Sequence, residues 1–220
     1  EDLVLGAVGL GSSNDFHKPV RRAVDGIPVR IDAGEAGLRD VIACTWDDGQ
    51  ALAMVSGSVG VTAAANAFFN DGDAVLRALK SRSTLAAILW SALRTLARHR
   101  GLHGRVDLPG LEGVPLCIDN LSVLETEWLS GTFRYDTPVD PTDGHLQVDL
   151  LEGRGRLGTL VALVALARGR FSGRPGTHCA RVRSVTVELD APAHLELDGE
   201  LHRARTVRFD VLPRRIRTCP

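Results

Sequence analysis

The chain has 220 residues, of which 44% are hydrophobic and 24% charged, and its formal net charge is −1. This length and composition are typical of one large globular domain, or of one domain with part of another. The balanced charge gives no general attraction to nucleic acid, so no nucleic-acid partner is expected. No apolar run reaches the roughly 18 residues that a membrane span needs, and the acidic start does not resemble a signal peptide.

The cysteines are widely spaced and form no C-x-x-C pair, which argues against a zinc ribbon. Cys44, Cys117, Cys179 and Cys219 are therefore expected to be free thiols in a reducing cytoplasm.

Extended segments dominate the prediction for the first 64 residues. Residues 3–11 (LVLGAVGLG) predict a buried strand that ends in a turn, and residues 27–34 predict a strand ended by Gly34. Residues 39–64 predict a β-hairpin that turns at Asp47–Asp48–Gly49.

Two segments have the period of a helix. Between residues 83 and 100, apolar side chains recur every three or four positions, basic residues follow, and Gly101 ends the pattern. A second helix is predicted near 155–168, ended by Gly169. The basic helix 83–100 is compatible with lying on an anionic membrane, but a core helix with a solvated edge is the favoured interpretation.

The rest of the second half predicts strands, at 115–124, 131–135 and 145–151. The last fifty residues alternate strongly and predict antiparallel strands, joined by short turns near Pro192, Asp198–Gly199 and Pro213. We therefore expect a mainly β fold with α: an antiparallel β-sandwich with two packed helices, preceded by one strand and turn.

The stretch GLGSSNDFHKP (9–19) could hold phosphate, because glycines let backbone N–H groups approach an anion closely. Asn14 could then form a hydrogen bond to a nucleotide, and Asp15 could interact with Mg²⁺. The alternative is a plain turn, for which Asn and Asp are equally suitable.

Carboxylates on turns are the other candidates. Asp198 and Glu200 flank Gly199 in HLELDGELHR, which alone predicts a type I′ hairpin turn but could also hold a general base or a metal contact at a cleft. Asp140 and Asp143 are spaced to suit a hard cation such as Mg²⁺, although ordinary turn acids would look the same.

Four segments, in this order, resemble motifs of the diacylglycerol kinase, sphingosine kinase and bacterial lipid kinase family. They are LGAVGLGSSNDF (5–16), PVDPTDGHLQVDLLE (138–152), the run ARGRFSGRPGTHCARVRSVTVEL (167–189) with HLELDGE (194–200), and FDVLPRRIRTCP (209–220). The resemblance implies a two-domain kinase, whose N-terminal domain holds ATP phosphates on a GGDGT loop. Its C-terminal β-sandwich binds lipid, and the active site lies between the two.

On this resemblance, residues 1–26 are the remnant edge of an α/β nucleotide-binding domain and residues 27–220 are the substrate domain. Asp198 matches the general base and Glu200 matches a Mg²⁺ contact, both catalytic. The nucleotide side is matched by Gly11, Ser12, Asn14 and Asp15. Asp140 and Asp143 match a structural Mg²⁺ site of some bacterial members, but Thr142 stands where the family often has another Asp.

The expected function is therefore phosphoryl transfer from ATP, with Mg²⁺, to a diacylglycerol- or sphingoid-like lipid hydroxyl. No GGDGT occurs in the 220 residues, so we expect little kinase activity from this chain alone. The alternative is a non-catalytic lipid- or protein-binding module; a nicotinamide-nucleotide kinase is disfavoured by LDGE. We further expect a cytoplasmic protein that meets the membrane transiently, through helix 83–100 or Trp128, and a possible homodimer.

Overall fold

The computed structural model describes residues 3–11, 13–131 and 133–220 of the chain. Its strands, in chain order, are β1 (Val4–Leu5), β2 (Ala7–Val8), β3 (Ala23–Val24), β4 (Ile27–Arg30), β5 (Gly37–Trp46), β6 (Gly49–Ala53), β7 (Ser56–Gly60), β8 (Leu102–Val106), β9 (Pro115–Leu124), β10 (Trp128–Leu129), β11 (Phe133–Arg134), β12 (Leu146–Glu152), β13 (Thr177–Val182), β14 (Ser184–Leu197) and β15 (Glu200–Thr218). Its α-helices are α1 (Val61–Asp71), α2 (Ala74–Lys80), α3 (Thr84–Arg98) and α4 (Gly155–Leu166), and 3₁₀ turns lie at Asp15–His17 and Ala33–Glu35.

Ten strands form one sheet, which is antiparallel except where β1 pairs parallel to the end of β15. The main order is β13-β12-β9-β7-β14-β15-β5-β6. Strands β7 and β8 both bridge β9 to β14, at different ends of those strands. The sheet therefore folds over on itself, and the predicted mainly β sandwich with α-helices is confirmed.

The core lies between the folded halves of the sheet. Its largest fully buried side chains include Ile42 on β5, Leu121 on β9 and Phe209 on β15. A second cluster lies where α4 covers β12, and it joins Leu151 to Ala162 and Leu166 of the helix. Six of the seven β12 residues are buried, because core and helix cover its two faces.

Both predicted helices are present as α3 and α4, but α1 and α2 were not predicted. The hairpin prediction ran on to residue 64, whereas the chain turns into α1 at Gly60, which has φ 114°. A Cβ at this position would lie 2.5 Å from the Asp119 carbonyl oxygen, so only glycine fits. The predicted apolar face of α3 is partly wrong, since Leu89 and Leu93 are exposed whereas Leu96 is buried.

The predicted buried strand at 3–11 is wrong. The segment forms two strands of two residues, with β1 on β15 and β2 on β4, and Gly6 lies between them. Leu3 and Leu10 are exposed, so the apolar pattern does not mark a core strand here.

The turns predicted at Pro192 and Pro213 are also wrong, whereas the turn at Asp198–Gly199 is confirmed. Both prolines lie inside long strands, at points where the pairing register shifts. Proline cannot donate to a ladder, so it is accommodated at a bulge and the strand continues.

All four cysteines are free. In the described part of the chain, no helix combines the length and the apolar character that crossing a bilayer requires. Residue 26, the predicted domain boundary, lies in the turn between β3 and β4, and the boundary stays a prediction.

Candidate functional site

Asp198 lies in the tight turn between β14 and β15, with φ 48°. Its carboxylate accepts three backbone hydrogen bonds from the segment between β6 and β7: from Met54 at 2.6 Å, Val55 at 2.9 Å and Ser56 at 2.8 Å. The Asp198 amide donates to the Ser56 carbonyl in return. Asp198 therefore fixes the path of this segment, in addition to any chemical role.

The residue is exposed as a whole, but its carboxylate is partly covered by the β6–β7 segment. This burial raises the pKa of Asp198, against the opposing effect of the three amide hydrogen bonds and of the Arg39 charge. A carboxylate with a raised pKa is a better proton acceptor than an ordinary surface aspartate.

Glu196 lies two residues before Asp198 and is buried. Its two oxygens accept from the Ser58 hydroxyl at 2.8 Å and from the Gly199 amide at 2.6 Å. Burial raises the pKa of Glu196, the two hydrogen bonds oppose this, and the charges of Asp198 and Asp15 raise it further. Glu196 is therefore within electrostatic range of Asp198 and Asp15.

Arg39 and Glu125 are two buried ionisable residues beside this turn. The Arg39 guanidinium donates to the backbone carbonyls of Glu125 at 2.8 Å and of Met54 at 3.3 Å. The Glu125 side chain is completely buried, and both of its oxygens have no hydrogen-bond partner among the described residues. Burial raises the pKa of Glu125 to about 8, with the Asp40 charge adding to the rise and Arg39 opposing it.

Asp15 brings the N-terminal turn to the same region. Its carboxylate accepts from the Gly131 amide at 3.0 and 3.2 Å and from the Lys18 ammonium at 2.9 Å. The neighbouring Phe16 ring lies under the guanidinium groups of Arg30 and Arg39, 5.0 and 5.1 Å from its centre.

The other predicted nucleotide-side residues are bound within their own turn. Asn14, at φ 52°, accepts from the Gly11 amide at 3.0 Å and donates to the Gly9 carbonyl at 3.1 Å. The Gly11 amide is thus engaged in the turn, and Ser12 lies outside the described residues. These groups do not form a phosphate cradle in this conformation.

The structure places the predicted metal-contacting residues outside this cluster of hydrogen bonds. Glu200 is exposed at the start of β15, and none of its side-chain atoms hydrogen-bonds within the described residues. The Asp140 carboxylate accepts from the Thr142 amide and hydroxyl, whereas Asp143 pairs with Arg181 and accepts from the His145 amide. Among the residues described, no three His, Cys, Asp or Glu side chains are arranged to hold a metal ion. A metal at Asp140 and Asp143 stays a prediction.

Three members of the site were missed by sequence reasoning: Arg39, Glu125 and Glu196. Each is a charged residue inside or at the end of a predominantly apolar strand segment. That pattern could have singled them out, because an isolated charge is buried only at a cost that a partner or a function must offset.

A protein-family model, described as the YegS C-terminal NAD kinase beta sandwich-like domain, matches residues 54–219. The chain belongs to this family. The YegS C-terminal domain match includes the Asp198 turn, the Met54–Ser56 segment and Glu125, whereas Asp15 and Arg39 lie before it. No curated protein matches the sequence significantly.

Solved structures agree with this family. A diacylglycerol kinase from Bacillus anthracis str. Sterne is 12% identical with a TM-score of 0.56, over 95% of this chain and 64% of that one. A second structure from that strain, of a provisionally assigned diacylglycerol kinase, is 14% identical with a TM-score of 0.57, over 84% of this chain and 57% of that one. The chain thus spans less than two thirds of their length, and at these identities the likeness shows the shared fold alone.

Proposed function

We propose that this chain is the lipid-side part of an ATP-dependent lipid kinase. Its family and fold support a phosphotransferase, and the observation that carries the proposal is the Asp198 turn. There a carboxylate with a raised pKa lies within electrostatic range of Glu196 and Arg39, and Glu196 is in turn within range of Asp15.

In this proposal Asp198 accepts the proton of a lipid hydroxyl while that oxygen attacks the γ-phosphorus of ATP, and the bond between this phosphorus and the bridging oxygen breaks, so that ADP leaves. A carboxylate has about four acceptor positions. Three of them receive the Met54, Val55 and Ser56 amides, so one remains for the hydroxyl. The same three bonds hold the carboxylate in place, which supports in-line positioning.

Magnesium, when bound, would neutralise charge on the transferred phosphate. The donor set does not fit an all-protein metal cage, since no three candidate ligands converge among the described residues. It does fit an ion carried mainly by nucleotide phosphates, because such sites need only one or two carboxylates. Glu200, exposed beside Asp198, is the residue we assign to that contact.

The test is transfer of radiolabelled phosphate from ATP to diacylglycerol and to a sphingoid base. It compares the 220-residue chain with the longest natural polypeptide that contains it. We expect turnover from the longer polypeptide only, and loss of that turnover in Asp198→Asn. Asp190→Asn, which alters an exposed acid on the strand that leads into the Asp198 turn, is the matched control and should keep full activity.

Because Asp198 also anchors the Met54–Ser56 segment, amide exchange of these residues is measured alongside. Lost turnover with unchanged exchange assigns Asp198 as the base. Unchanged turnover in Asp198→Asn removes it from that role.

A second candidate is a non-catalytic lipid- or protein-binding module. It is favoured by the fact that Asn14, Asp15 and most of Asp198 are already engaged in hydrogen bonds that hold loops together. Lipid binding with no phosphoryl transfer by the longer polypeptide would support this candidate.

A further inference from the structure

Helix α4 packs in an unusual orientation. Helices of globular proteins turn their large apolar residues inward, but the buried residues of α4 are mostly small: Thr159, Ala162, Ala165 and Leu166. Four of its large aliphatic side chains are exposed instead, with exposed fractions of 80% for Leu157, 37% for Leu160, 58% for Val161 and 39% for Val164. These four residues, which we call the α4 stripe, follow the three- and four-residue spacing of one helix face.

The sequence that contains the α4 stripe is rich in arginine. Between residues 153 and 187 the chain has seven arginines, at 154, 156, 168, 170, 174, 181 and 183, and no Asp or Glu. Arg154 and Arg156 lie at the start of α4, and Arg168 and Arg170 follow its end. Within the described residues, no carboxylate lies within ion-pair distance of these four guanidinium groups.

We propose that the α4 stripe docks on an anionic lipid bilayer. An exposed apolar face bordered by cations is the pattern of interfacial helices, which bury aliphatic side chains at the acyl boundary while arginines meet lipid phosphates. A second copy of the chain is the poorer occupant, because a two-fold contact would bring the same arginine clusters together. The proposal rests on the proposed function in one respect, since the α4 stripe would supply the membrane surface on which the kinase meets its lipid substrate.

The position of α4 couples this surface to the candidate site. Its buried Ala162 and Leu166 share a cluster with Leu129 of β10. Two residues after Leu129, the Gly131 amide binds Asp15. A bilayer on the outer face of α4 is thus separated from the site-forming loop by the helix and one layer of side chains.

This assignment differs from the surfaces that the sequence suggested. Trp128 is half-buried, and its ring lies against the charged groups of Lys18 and Arg134. Helix α3 does expose Leu89 and Leu93, each by 56%, and it therefore offers a matched control with a similar apolar pair.

The experiment is co-sedimentation of the chain with phosphatidylcholine vesicles, with or without about one third of phosphatidylserine. We expect binding to the anionic vesicles, weakening as salt is raised. Leu157→Glu with Val161→Glu should weaken it at least about ten-fold, whereas Leu89→Glu with Leu93→Glu should leave it within about two-fold. Arg168→Gln with Arg170→Gln should weaken it by roughly five-fold per arginine.

Thermal unfolding of each variant is measured to check that the fold is kept. The arginine variant tests the same surface without altering the α4 stripe. No ATP is present, so absence of kinase activity would leave this result unaffected. Equal binding to neutral vesicles, or loss of binding in the α3 variant instead of the α4 variant, would overturn the proposal. So would a dimer in lipid-free solution that dissociates in the Leu157→Glu, Val161→Glu variant, because it would identify a second copy as the occupant.

Discussion

Three carboxyl side chains of the candidate site differ in the hydrogen bonds that their oxygens accept. Asp198 accepts three amides, Glu196 accepts a hydroxyl and an amide, and Glu125 accepts nothing within the described residues. Burial raises the pKa of all three. Sequence reasoning found Asp198 because it stands in a turn motif, but burial and missing partners are properties of the folded chain.

Glu125 should make stability depend on pH. Its pKa rises from about 4.5 to about 8 on folding, so the folded state holds the proton more tightly than the unfolded state. Its contribution to stability is fully present below about pH 4.5 and is lost as the pH rises through about 8. The free energy of unfolding is measured by denaturant titration at several pH values. In Glu125→Gln it should no longer fall in this way as the pH rises. Glu127→Gln, which alters a partly exposed acid paired with Arg134, should retain it; an unchanged Glu125→Gln profile would contradict the prediction.

Asp198 should also be tested as a structural residue. Asp198→Ala removes the acceptor for three amides, which should lower the free energy of unfolding by about 1–3 kcal/mol. Hydrogen exchange should accelerate at Met54, Val55 and Ser56, because these are the amides it holds. If exchange at these three positions stays as in the wild type, the carboxylate does not fix the segment.

At the level of elements, the helices and strands that have a clear local sequence pattern were the ones that the sequence predicted. β9 was predicted with its observed bounds, and α3 and α4 within two residues at each end, because their apolar spacing extends over several turns or alternations. The helix α1 was missed because strand-like alternation continues up to Gly60, where a close approach to β9 forces the chain to change direction. Such an approach is a tertiary contact, and the local sequence pattern does not predict it.

Gly60→Ala tests this account of the β7–α1 junction. Alanine would need φ 114° and would place its Cβ 2.8 Å from the Asn120 Cα, so the free energy of unfolding should fall by at least about 1–3 kcal/mol. Gly37→Ala is the matched control, since Gly37 also lies at one end of a strand, as the first residue of β5, but has nothing within 4 Å of a Cβ. Equal thermal stability of the two variants would show that the junction tolerates a side chain.

Over the whole molecule, the candidate site depends on segments that are far apart in the chain. Asp15, Arg39, Glu125 and Asp198 come from four separate parts of the sequence, and the folded sheet brings their elements to one region. The family resemblance predicted Asp198 and Asp15 by motif. It did not supply Arg39 or Glu125, because their role depends on packing between β5 and the end of β9.

The 3₁₀ turn at Asp15–His17 should be held on the sandwich mainly by Asp15. Its carboxylate binds the Gly131 amide across 116 positions of sequence. The other described anchors of the turn are the Phe16 contacts with Arg30 and Arg39 and the Lys18 contact with the Gly131 carbonyl.

Asp15→Asn removes the charge that binds Lys18 and weakens the bond to Gly131, so the turn should open more often while the sandwich core is unaffected. Limited trypsin digestion should therefore cleave at Arg21 and Arg22 several-fold faster than in the wild type, with little change in the unfolding temperature. Asp25→Asn is the matched control, because Asp25 lies in an exposed turn and asparagine also tolerates its φ of 49°. If both variants are cleaved at the wild-type rate, the contacts of Phe16 and Lys18 are sufficient to dock the turn, and its attachment to the site does not depend on Asp15.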